Sequence, residues 1–366
     1  MCIALLLKLC KVLVIVPGEN YKHSLAYTLY TYTWIVLSLA SVLFYIFGQL
    51  TNPNFKTMIF TVRILDGVTM ALITSSTLCI ASKCRLATNL LQHLQLTSIK
   101  ENNRKIMVGF VLVHIVFIAT NLVGDASLSM SIGLLPGARI VKYYILRDMQ
   151  WYVQTIAVYL VIIVAHKFKI MFEELNVCLQ SYSTESDTSE RDEKVQLILK
   201  LRKRYNHLAD LVQEFNDVFG LTIFFAVLFT MAMAVFSIHR AIVFSLFVSD
   251  DPGRLWIILA SILWTIVVTL QALLLAASCS SMEKEARRTE KICYSLVNEA
   301  PAMLKEISKE VVSELCILAQ LVGCRKPSVS AAGFFKVNYE MMGFIAATVT
   351  SDTIITLQCL IESIKM

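Results

Sequence analysis

The stretch FGLTIFFAVLFTMAMAVFSIHRAIVFSLFV, residues 219–248, contains one permanently charged side chain, that of Arg240. A helix crosses the hydrocarbon core of a bilayer with about 20 consecutive, mostly apolar residues, and this run is longer than that. The sequence SDDPG follows it at 249–253, and a second apolar run occupies 254–281. Asp, Pro and Gly favour tight turns. The two runs therefore predict a pair of adjacent membrane-spanning helices.

The whole chain of 366 residues has the same apolar character. Hydrophobic residues make up 57% of it and charged residues 16%, against about 25% charged residues in an average soluble domain. The mean hydropathy is +0.66. This composition excludes a soluble enzyme, a disordered chain and a secreted disulfide scaffold, and it predicts an all-α membrane protein. Seven segments are candidate spans: 25–50, 57–82, 107–124, 148–166, 219–248, 254–281 and 340–362.

The basic residues predict how the chain is oriented in the membrane. Most of the 33 Lys and Arg residues lie in alternate inter-span segments, beginning with the N-terminal one. Such residues collect on the cytoplasmic side, so we expect a multi-pass plasma-membrane protein with its N-terminus cytoplasmic and its C-terminus extracellular. G-protein-coupled receptors, whose seven spans begin outside the cell, are excluded. The net charge of +6 requires no nucleic-acid partner, because anionic membrane lipid attracts the same basic segments.

Three segments between the spans carry apolar residues at helical spacing, namely 167–179, 195–219 and 301–321. They predict a cytoplasmic anchor bundle, which forms either a cap for one subunit or a seam between subunits. The chain then divides into an interfacial N-terminal segment 1–24, spans one to four in 25–166, cytoplasmic extensions in 167–218 with a disordered loop 181–194, spans five and six in 219–281, anchor helices in 282–339 and the last span in 340–366.

The sequence offers no pattern typical of a catalytic or metal-binding site. None of the ten cysteines forms the C-x-x-C pair that zinc sites use. The chain contains no H-E-x-x-H, G-x-S-x-G or P-loop sequence. We therefore predict no enzyme activity, no metal site and no cofactor.

Three stretches carry a family pattern. LRKRYNHLADLVQEFNDVFG (201–220) leads into span five, SVSAAGFFKVNYEMMGFIAA (328–347) introduces the last span, and SDTIITLQC (351–359) lies within that span. Together they resemble insect gustatory receptors, a branch of the insect chemoreceptor superfamily. In that family the last span carries Thr-Tyr, five apolar residues and Gln-Phe.

The departures from this last motif concern its two ends. Ser351, Asp352 and Cys359 stand where the family has Thr, Tyr and Phe, whereas Gln358 matches. If the terminal Phe contributes to the gate in relatives, Cys359 would form a narrower hydrophobic plug. The chain also lacks an acidic residue directly after a Thr-Tyr pair, a variant associated with the family's sugar receptors. Its absence favours bitter or other non-sugar tastants.

The resemblance implies a ligand-gated, non-selective cation channel. Its subunits would form a homotetramer, or a heterotetramer with related receptor subunits, and the last span of each would line a central pore. The cytoplasmic bundle would hold the tetramer together, and a small-molecule tastant would bind among the outer halves of the other spans. Membrane lipid would surround the assembly.

The last span itself has a face suited to a pore. At about 100° per residue, one side of the helix brings together small, apolar, amide and carboxylate side chains. In a symmetric ring the apolar layer would gate by dewetting and the carboxylate layer would favour cations. The alternative for the amide is a hydrogen bond to a neighbouring helix. With the resemblance added, the predicted pore and gate residues are Ser351, Ile355, Gln358, Cys359 and Glu362.

Polar and aromatic residues in the outer halves of the spans are candidates for the ligand pocket. Buried ionisable groups within a bilayer are usually functional or paired, so Asp66 either faces the ligand or forms an ion pair with Arg63 on span two. Aromatic residues near the outer surface form either pocket walls or the interfacial belt. The predicted ligand-binding residues are Asp66, Asn121, Tyr152, Gln154 and Trp264.

Two other functions compete with a taste channel. An odorant receptor subunit would share the architecture but would require a co-receptor subunit. A secondary transporter would belong to a different class, and transporters usually carry internal repeats with broken helices at matching positions. No such repeat is visible in the sequence.

Overall fold

The structure is a computed structural model that describes residues 57–94, 146–184, 191–247, 254–299 and 309–365, with short helical pieces inside 32–40 and 108–121. The predicted N-terminal segment 1–24 and most of the first predicted span lie outside the described residues. Nearly all of the described chain is helical, which confirms the predicted fold class. The elements are α1 Thr57–His93, α2 Leu146–Thr184, α3 Arg191–Phe247, α4 Arg254–Glu299, α5 Lys309–Cys324, β1 Ser330–Ala331, β2 Phe335–Lys336 and α6 Tyr339–Lys365.

Four of the described helices are long and apolar enough to cross a membrane. Their qualifying parts are Ile64–Lys83, Asp148–Ser181, Lys194–Leu246 and Arg254–Asn298, and each contains most or all of a predicted span. Helix α6 contains the whole of the last predicted span, 340–362. Thr, Ser, Asp and Gln lie among its apolar residues between 348 and 358. Such polar groups are costly where they face hydrocarbon.

The predicted cytoplasmic extensions continue the spans without a break. Helix α3 runs through 57 residues, and a stripe of buried side chains at three- and four-residue spacing follows it from the extension into the span. Because the stripe is continuous, α3 buries side chains in the same way on both sides of residue 219, where the predicted membrane span begins. The stripe consists of Leu201, Tyr205, Leu208, Val212, Phe215, Phe219 and Ile223.

The predicted disordered loop 181–194 is too long at both ends. Helix α2 continues to Thr184 and helix α3 begins at Arg191, which leaves 185–190 outside the described residues. On the α2 side, buried Leu179 packs into the main core. The Ser181 hydroxyl donates to the Cys178 carbonyl oxygen at 3.0 Å. Packing of this kind extends the helix into residues that composition alone favours as loop.

Helix α3 lies at the centre of the described structure. It packs against α1, α2, α4, α5, α6 and β1. Below the predicted span, its aromatic side chains meet those of α2. The rings of Phe215 and Phe168 lie 5.8 Å apart edge to face, and those of Tyr205 and Phe172 lie 6.1 Å apart. All four side chains are buried, so the extensions form a packed core rather than isolated helices.

A small hairpin before α6 departs from the all-helical expectation. Strands β1 and β2 pair antiparallel, with Ala331 opposite Phe335, and the Val337 N–H donates to the Val329 carbonyl oxygen at 2.9 Å. The turn places Ala332 at φ 52° and Gly333 at φ 80°. A left-handed backbone at two successive residues reverses the chain within a short loop, and glycine adopts it without the strain of a Cβ atom.

The hairpin rests directly on α3 at Gly220. A Cβ atom added there would lie 2.8 Å from the Ala332 nitrogen and 3.0 Å from its Cα atom. Close beneath, Asn216 uses both ends of its amide. Its Nδ2 donates to the Ser328 carbonyl oxygen at 2.9 Å, and its Oδ1 accepts from the Ser330 N–H at 3.0 Å. These contacts fix the hairpin to one turn of α3.

Further hydrogen bonds join α3 to the segment after α5. The Tyr205 hydroxyl donates to the Arg325 carbonyl oxygen at 2.5 Å. The Arg325 guanidinium donates to Asn206 and forms an ion pair with Asp210 at 2.6 Å. Burial raises the pKa of the Tyr205 phenol above its usual range, which keeps the donor protonated. Two of the stretches that carry the family resemblance, 201–220 and 328–347, therefore pack against each other.

The contact at Gly220 predicts a selective cost of adding one methyl group. Gly220→Ala should lower the stability of the solubilised protein by about 1–3 kcal/mol, because the new atom meets backbone that cannot rotate away. Thermal unfolding in detergent measures this. The matched control is Gly67→Ala in α1, where an added Cβ meets nothing within 4 Å. A glycine to alanine change in an open helix is expected to be neutral or stabilising. Equal melting temperatures for both variants would contradict the close approach.

Candidate functional site

Helices α1 to α4 enclose a small cavity of about 40 Å³ in the outer half of the predicted spans. Its walls include four aromatic side chains. The rings of Trp151 on α2 and Trp264 on α4 lie 3.4 Å apart at 36°, and Phe229 and Phe236 approach from α3. Trp151 is 3% exposed and Trp264 is 8% exposed. The cavity can therefore present flat apolar surfaces to a ligand.

Three ionisable side chains line the same cavity, namely Asp66 of α1, Asp148 of α2 and Arg240 of α3. Charged groups within a bilayer are costly and normally face the helix bundle interior. In addition, the Trp151 indole Nε1 is buried and has no hydrogen-bond partner within the described part of the chain. An unpaired buried donor carries a desolvation cost. The cavity thus combines aromatic walls with an available hydrogen-bond donor and charges of both signs.

The cavity is closed in this conformation. A volume of about 40 Å³ holds a water molecule or two, whereas small-molecule pockets typically measure about 300–1,000 Å³. A ligand could enter only if the aromatic side chains separated. Met70 and Met233 also line the cavity, and methionine adapts its shape easily because its side chain is unbranched. The walls are therefore of a kind that can rearrange around a guest.

Only two of the five predicted ligand residues line this cavity, Asp66 and Trp264. Tyr152 lies on another side of α2, where its hydroxyl forms a 2.6 Å hydrogen bond with His114 Nε2. Gln154 is 2% exposed, and Asn121 is partly buried at the end of the helical piece 108–121. Neither belongs to the cavity lining.

The geometry of α2 explains this separation. Successive residues turn by about 100° around a helix, so Tyr152 cannot share the direction of Trp151. The sequence prediction selected residues by type and depth, which do not reveal this direction. It did not select Trp151, Asp148 and Arg240, although two sequence signals were available. Asp148 and Trp151 are three residues apart, and Arg240 is the single permanent charge in 219–248.

A larger crevice of about 630 Å³ lies between the piece 108–121, α2 and α4. Its lining is mostly aliphatic and includes Leu112, Leu270 and Leu274. These three leucines are about half exposed on the surface of the predicted spans. The crevice is therefore continuous with the surface that faces lipid.

Helix α6 presents its predicted pore residues away from its own chain. All five are exposed, with Ile355 at 56%, and the neighbouring Asp352 is exposed as well. Near the inner end of the helix Met341 and Ile345 are buried. From residue 351 outward only Thr353 and Thr356 are half-buried among the described residues, and Ile354, Leu357 and Ile361 are exposed as well. The five predicted pore residues are Ser351, Ile355, Gln358, Cys359 and Glu362.

The composition of this exposed face limits what can cover it. Hydroxyl, amide and carboxylate groups are expensive to expose to hydrocarbon, and lipid offers them no hydrogen bonds. The face therefore requires water, other protein or both. A row of such residues on the outside of one subunit can serve as the wall of an aqueous pathway between several subunits.

Comparison with known proteins agrees with this architecture. A family profile described as 7tm Chemosensory receptor matches residues 5–362. The insect olfactory receptor OR5 from Machilis hrabei in complex with eugenol is similar, with a TM-score of 0.66 at 12% identity over 96% of this chain and 97% of that one. Another structure of that receptor gives a TM-score of 0.62 at 13% identity over 98% of both chains. No curated protein sequence matches the chain significantly.

The position of Gln154 predicts a structural role. Its Oε1 atom is buried without a hydrogen-bond partner among the described residues. Gln154→Met keeps a similar shape and removes the unpaired amide, so we expect stability to be unchanged or raised by about 1 kcal/mol. Thermal unfolding in detergent measures it, and the ligand response should be that of the wild type. A selective loss of ligand response at normal surface expression would instead place Gln154 at the ligand.

Proposed function

The chain belongs to the 7tm chemosensory receptor family, and we propose that it is a gustatory receptor that acts as a tastant-gated, non-selective cation channel. Four subunits assemble around a central pore lined by α6. The tastant binds in the aromatic cavity of each subunit, with the N-terminus in the cytoplasm and the protein in the plasma membrane. The homotetramer and the heterotetramer with related subunits are both compatible with this arrangement.

The single observation that carries the proposal is the exposed polar face of α6. A helix within a membrane protein that turns Asp352, Gln358 and Glu362 away from its own bundle needs a polar environment on that side. A ring of identical subunits supplies one. Carboxylates at its mouth attract cations, and the exposed Ile355 layer narrows the path by an apolar ring that closes by dewetting.

The cavity supports the ligand side of the proposal. The Machilis receptor was solved in complex with eugenol, a small molecule, and a small ligand is what this chain's aromatic walls suit. Binding opens the channel only if the ligand binds the open state more tightly than the closed state. The closed cavity provides the physical basis, because a ligand that holds Trp151 and Trp264 apart favours the conformation with the enlarged cavity.

An odorant receptor is the second candidate, since the similar solved structures are of an olfactory receptor. It would bind a volatile ligand and would require a co-receptor subunit for current. The three stretches that resemble gustatory receptors favour a taste receptor, and Gln358 is the residue of the last motif that matches. Expression of the chain alone separates a homotetrameric taste receptor from an odorant subunit that depends on a co-receptor, because only the former yields current by itself.

The pore proposal predicts a ligand-evoked current. We expect whole-cell cation current in cells that express this chain alone and are perfused with bitter and sugar compounds. Glu362→Gln should reduce cation over anion selectivity, seen as a shift in reversal potential in asymmetric salt, and Gln358→Ala should change conductance or block. The control is Glu340→Gln, an exposed carboxylate in the first turn of α6, which should leave selectivity unchanged. Identical reversal potentials for all variants would exclude this face as the pore.

The cavity proposal predicts a localised effect of removing one indole. Trp264→Ala should raise the ligand concentration for half-maximal current by roughly 10-fold or more, because an aromatic contact contributes about 0.5–1.5 kcal/mol beyond its buried area. The matched control on the same helix is Trp256→Ala, whose side chain is 42% exposed. Dose–response curves at equal surface expression give the comparison. If both variants responded like the wild type, the ligand would bind elsewhere.

A further inference from the structure

One polar contact joins the cavity-lining helix α3 to the proposed pore helix α6 within the predicted spans. His239 Nδ1 and Thr356 Oγ1 lie 3.4 Å apart in a long hydrogen bond. His239 is 6% exposed, and its Nε2 atom is buried without a partner among the described residues. Burying an imidazole with only one weak hydrogen bond costs free energy, so packing alone does not explain a histidine at this position.

His239 is placed directly beside the cavity. Phe236 and Arg240 line the cavity, and they precede and follow His239 on α3 by three residues and one residue. A displacement of this turn of α3 by a ligand therefore moves His239 with it. Thr356 lies between Ile355 and Gln358 of the proposed pore face and on a more covered side of α6. The contact thus connects the cavity wall to the level of the pore constriction.

The lower attachment between the same two elements is of a different kind. At Gly220 the backbones of α3 and the hairpin meet at van der Waals distance, and Asn216 makes two hydrogen bonds to the hairpin backbone. Phe224 of α3 also stacks on Phe334 of the hairpin, with ring centroids 4.7 Å apart. This end of the α6 assembly cannot shift without the loss of several interactions at once.

The two attachments are well separated. Gly220 and His239 are nineteen residues apart on one continuous helix, which corresponds to about 28 Å at a rise of about 1.5 Å per residue. Among the hydrogen bonds of the described residues, two join the hairpin to Asn216 of α3 and one long bond joins α6 to His239. The outer end of α6 is therefore the end that moves more easily. That end carries Ile355, Gln358 and Glu362.

We propose that His239 and Thr356 form a latch that holds α6 in the closed position, with the hairpin on Gly220 as the pivot. This inference rests on the channel function proposed above. The cavity of about 40 Å³ leaves no room for a tastant, so the contact belongs to the unliganded conformation. Ligand entry displaces the turn of α3 that carries Phe236, His239 and Arg240, breaks the latch and releases the outer half of α6. His239 and Thr356 are positioning residues and touch neither the ligand nor the ions.

The test is a double-mutant cycle on His239→Ala and Thr356→Val, read as basal current and as the ligand concentration for half-maximal current. Each single variant should raise the basal current and lower the half-maximal concentration by roughly 3- to 10-fold, the effect expected for one lost hydrogen bond. The double variant should match the single variants, because either change already breaks the latch. Single-channel conductance and reversal potential should stay at wild-type values.

Two controls separate the latch from general damage. Thr353→Val removes a half-buried hydroxyl one turn away that donates within α6, to the Val349 carbonyl oxygen at 2.7 Å, and it should leave the half-maximal concentration unchanged. His239→Gln retains a side-chain group able to bond to Thr356 and should restore much of the wild-type behaviour. Surface biotinylation establishes that each variant is delivered. If His239→Ala fails to reach the surface, Thr356→Val, which preserves shape, carries the test with Thr353→Val as its reference.

The outcomes distinguish the latch from the channel itself. Wild-type protein that reaches the surface without any ligand-evoked current, both alone and together with related receptor subunits, would overturn the proposed function and the latch with it. Normal wild-type current with additive effects of the two substitutions, or with no effect of Thr356→Val, would overturn the latch alone. A raised half-maximal concentration in both single variants would place the contact in the open state and likewise overturn it.

Discussion

The burial of α3 is the constraint on which the described structure depends. This helix packs against five others and against β1, so its side chains must fit neighbours in nearly every direction along its length. Phe215 and Tyr205 serve the core below the predicted span, and Phe229 and Phe236 serve the cavity within it. The same rigid helix contributes to both regions. A displacement of α3 at one level therefore also displaces it relative to the elements that it contacts at the other level.

Helix α6 has the opposite relation to its surroundings. Its inner turns are partly covered by its own chain, and its outer half exposes Ile355, Gln358 and Glu362. A single subunit leaves these side chains exposed. Contact between the polar ones and hydrocarbon would be costly in free energy. The proposed assembly around a pore resolves the conflict, because it replaces lipid with water and with identical helices. The polar residues among the apolar ones of α6 are costly against lipid and suitable in a pore wall.

In the proposed gating mechanism, the strong contact at the hairpin and the weak contact at His239 have different roles. The walls around Trp151 and Trp264 enclose too little space for a ligand, so binding must be accompanied by movement. The tie at Asn216 and Gly220 resists movement, and the single bond from His239 to Thr356 does not. A helix pair joined in this way transmits a shift at the cavity to the outer part of α6 while its inner end stays in place.

Much of the architecture follows from the sequence alone. Apolar runs such as 219–248 exceed the thickness of a bilayer, and the stripe from Leu201 to Ile223 repeats at helical spacing, so helix type and approximate span positions depend only on local pattern. The exposed face of α6 is also readable, because residues on one side of a helix are set by its period. The ends of the predicted loop 181–194 could not be read from the sequence, because packing of Leu179 extended α2.

The tertiary structure alone decided which side chains meet. Trp151 and Trp264 stack across two helices, Asn216 reaches the backbone of a hairpin more than a hundred residues later, and His239 finds Thr356. Composition and depth made Tyr152 and Gln154 candidates for the ligand pocket, whereas the rotation of α2 leaves both out of the lining of the cavity beside Trp151. A helical period fixes the angles between residues on one helix, whereas the rotation of that helix relative to its neighbours is set by the sum of all packing contacts. For this chain, the sequence determined the helices and their faces, and only their packing determined the cavity.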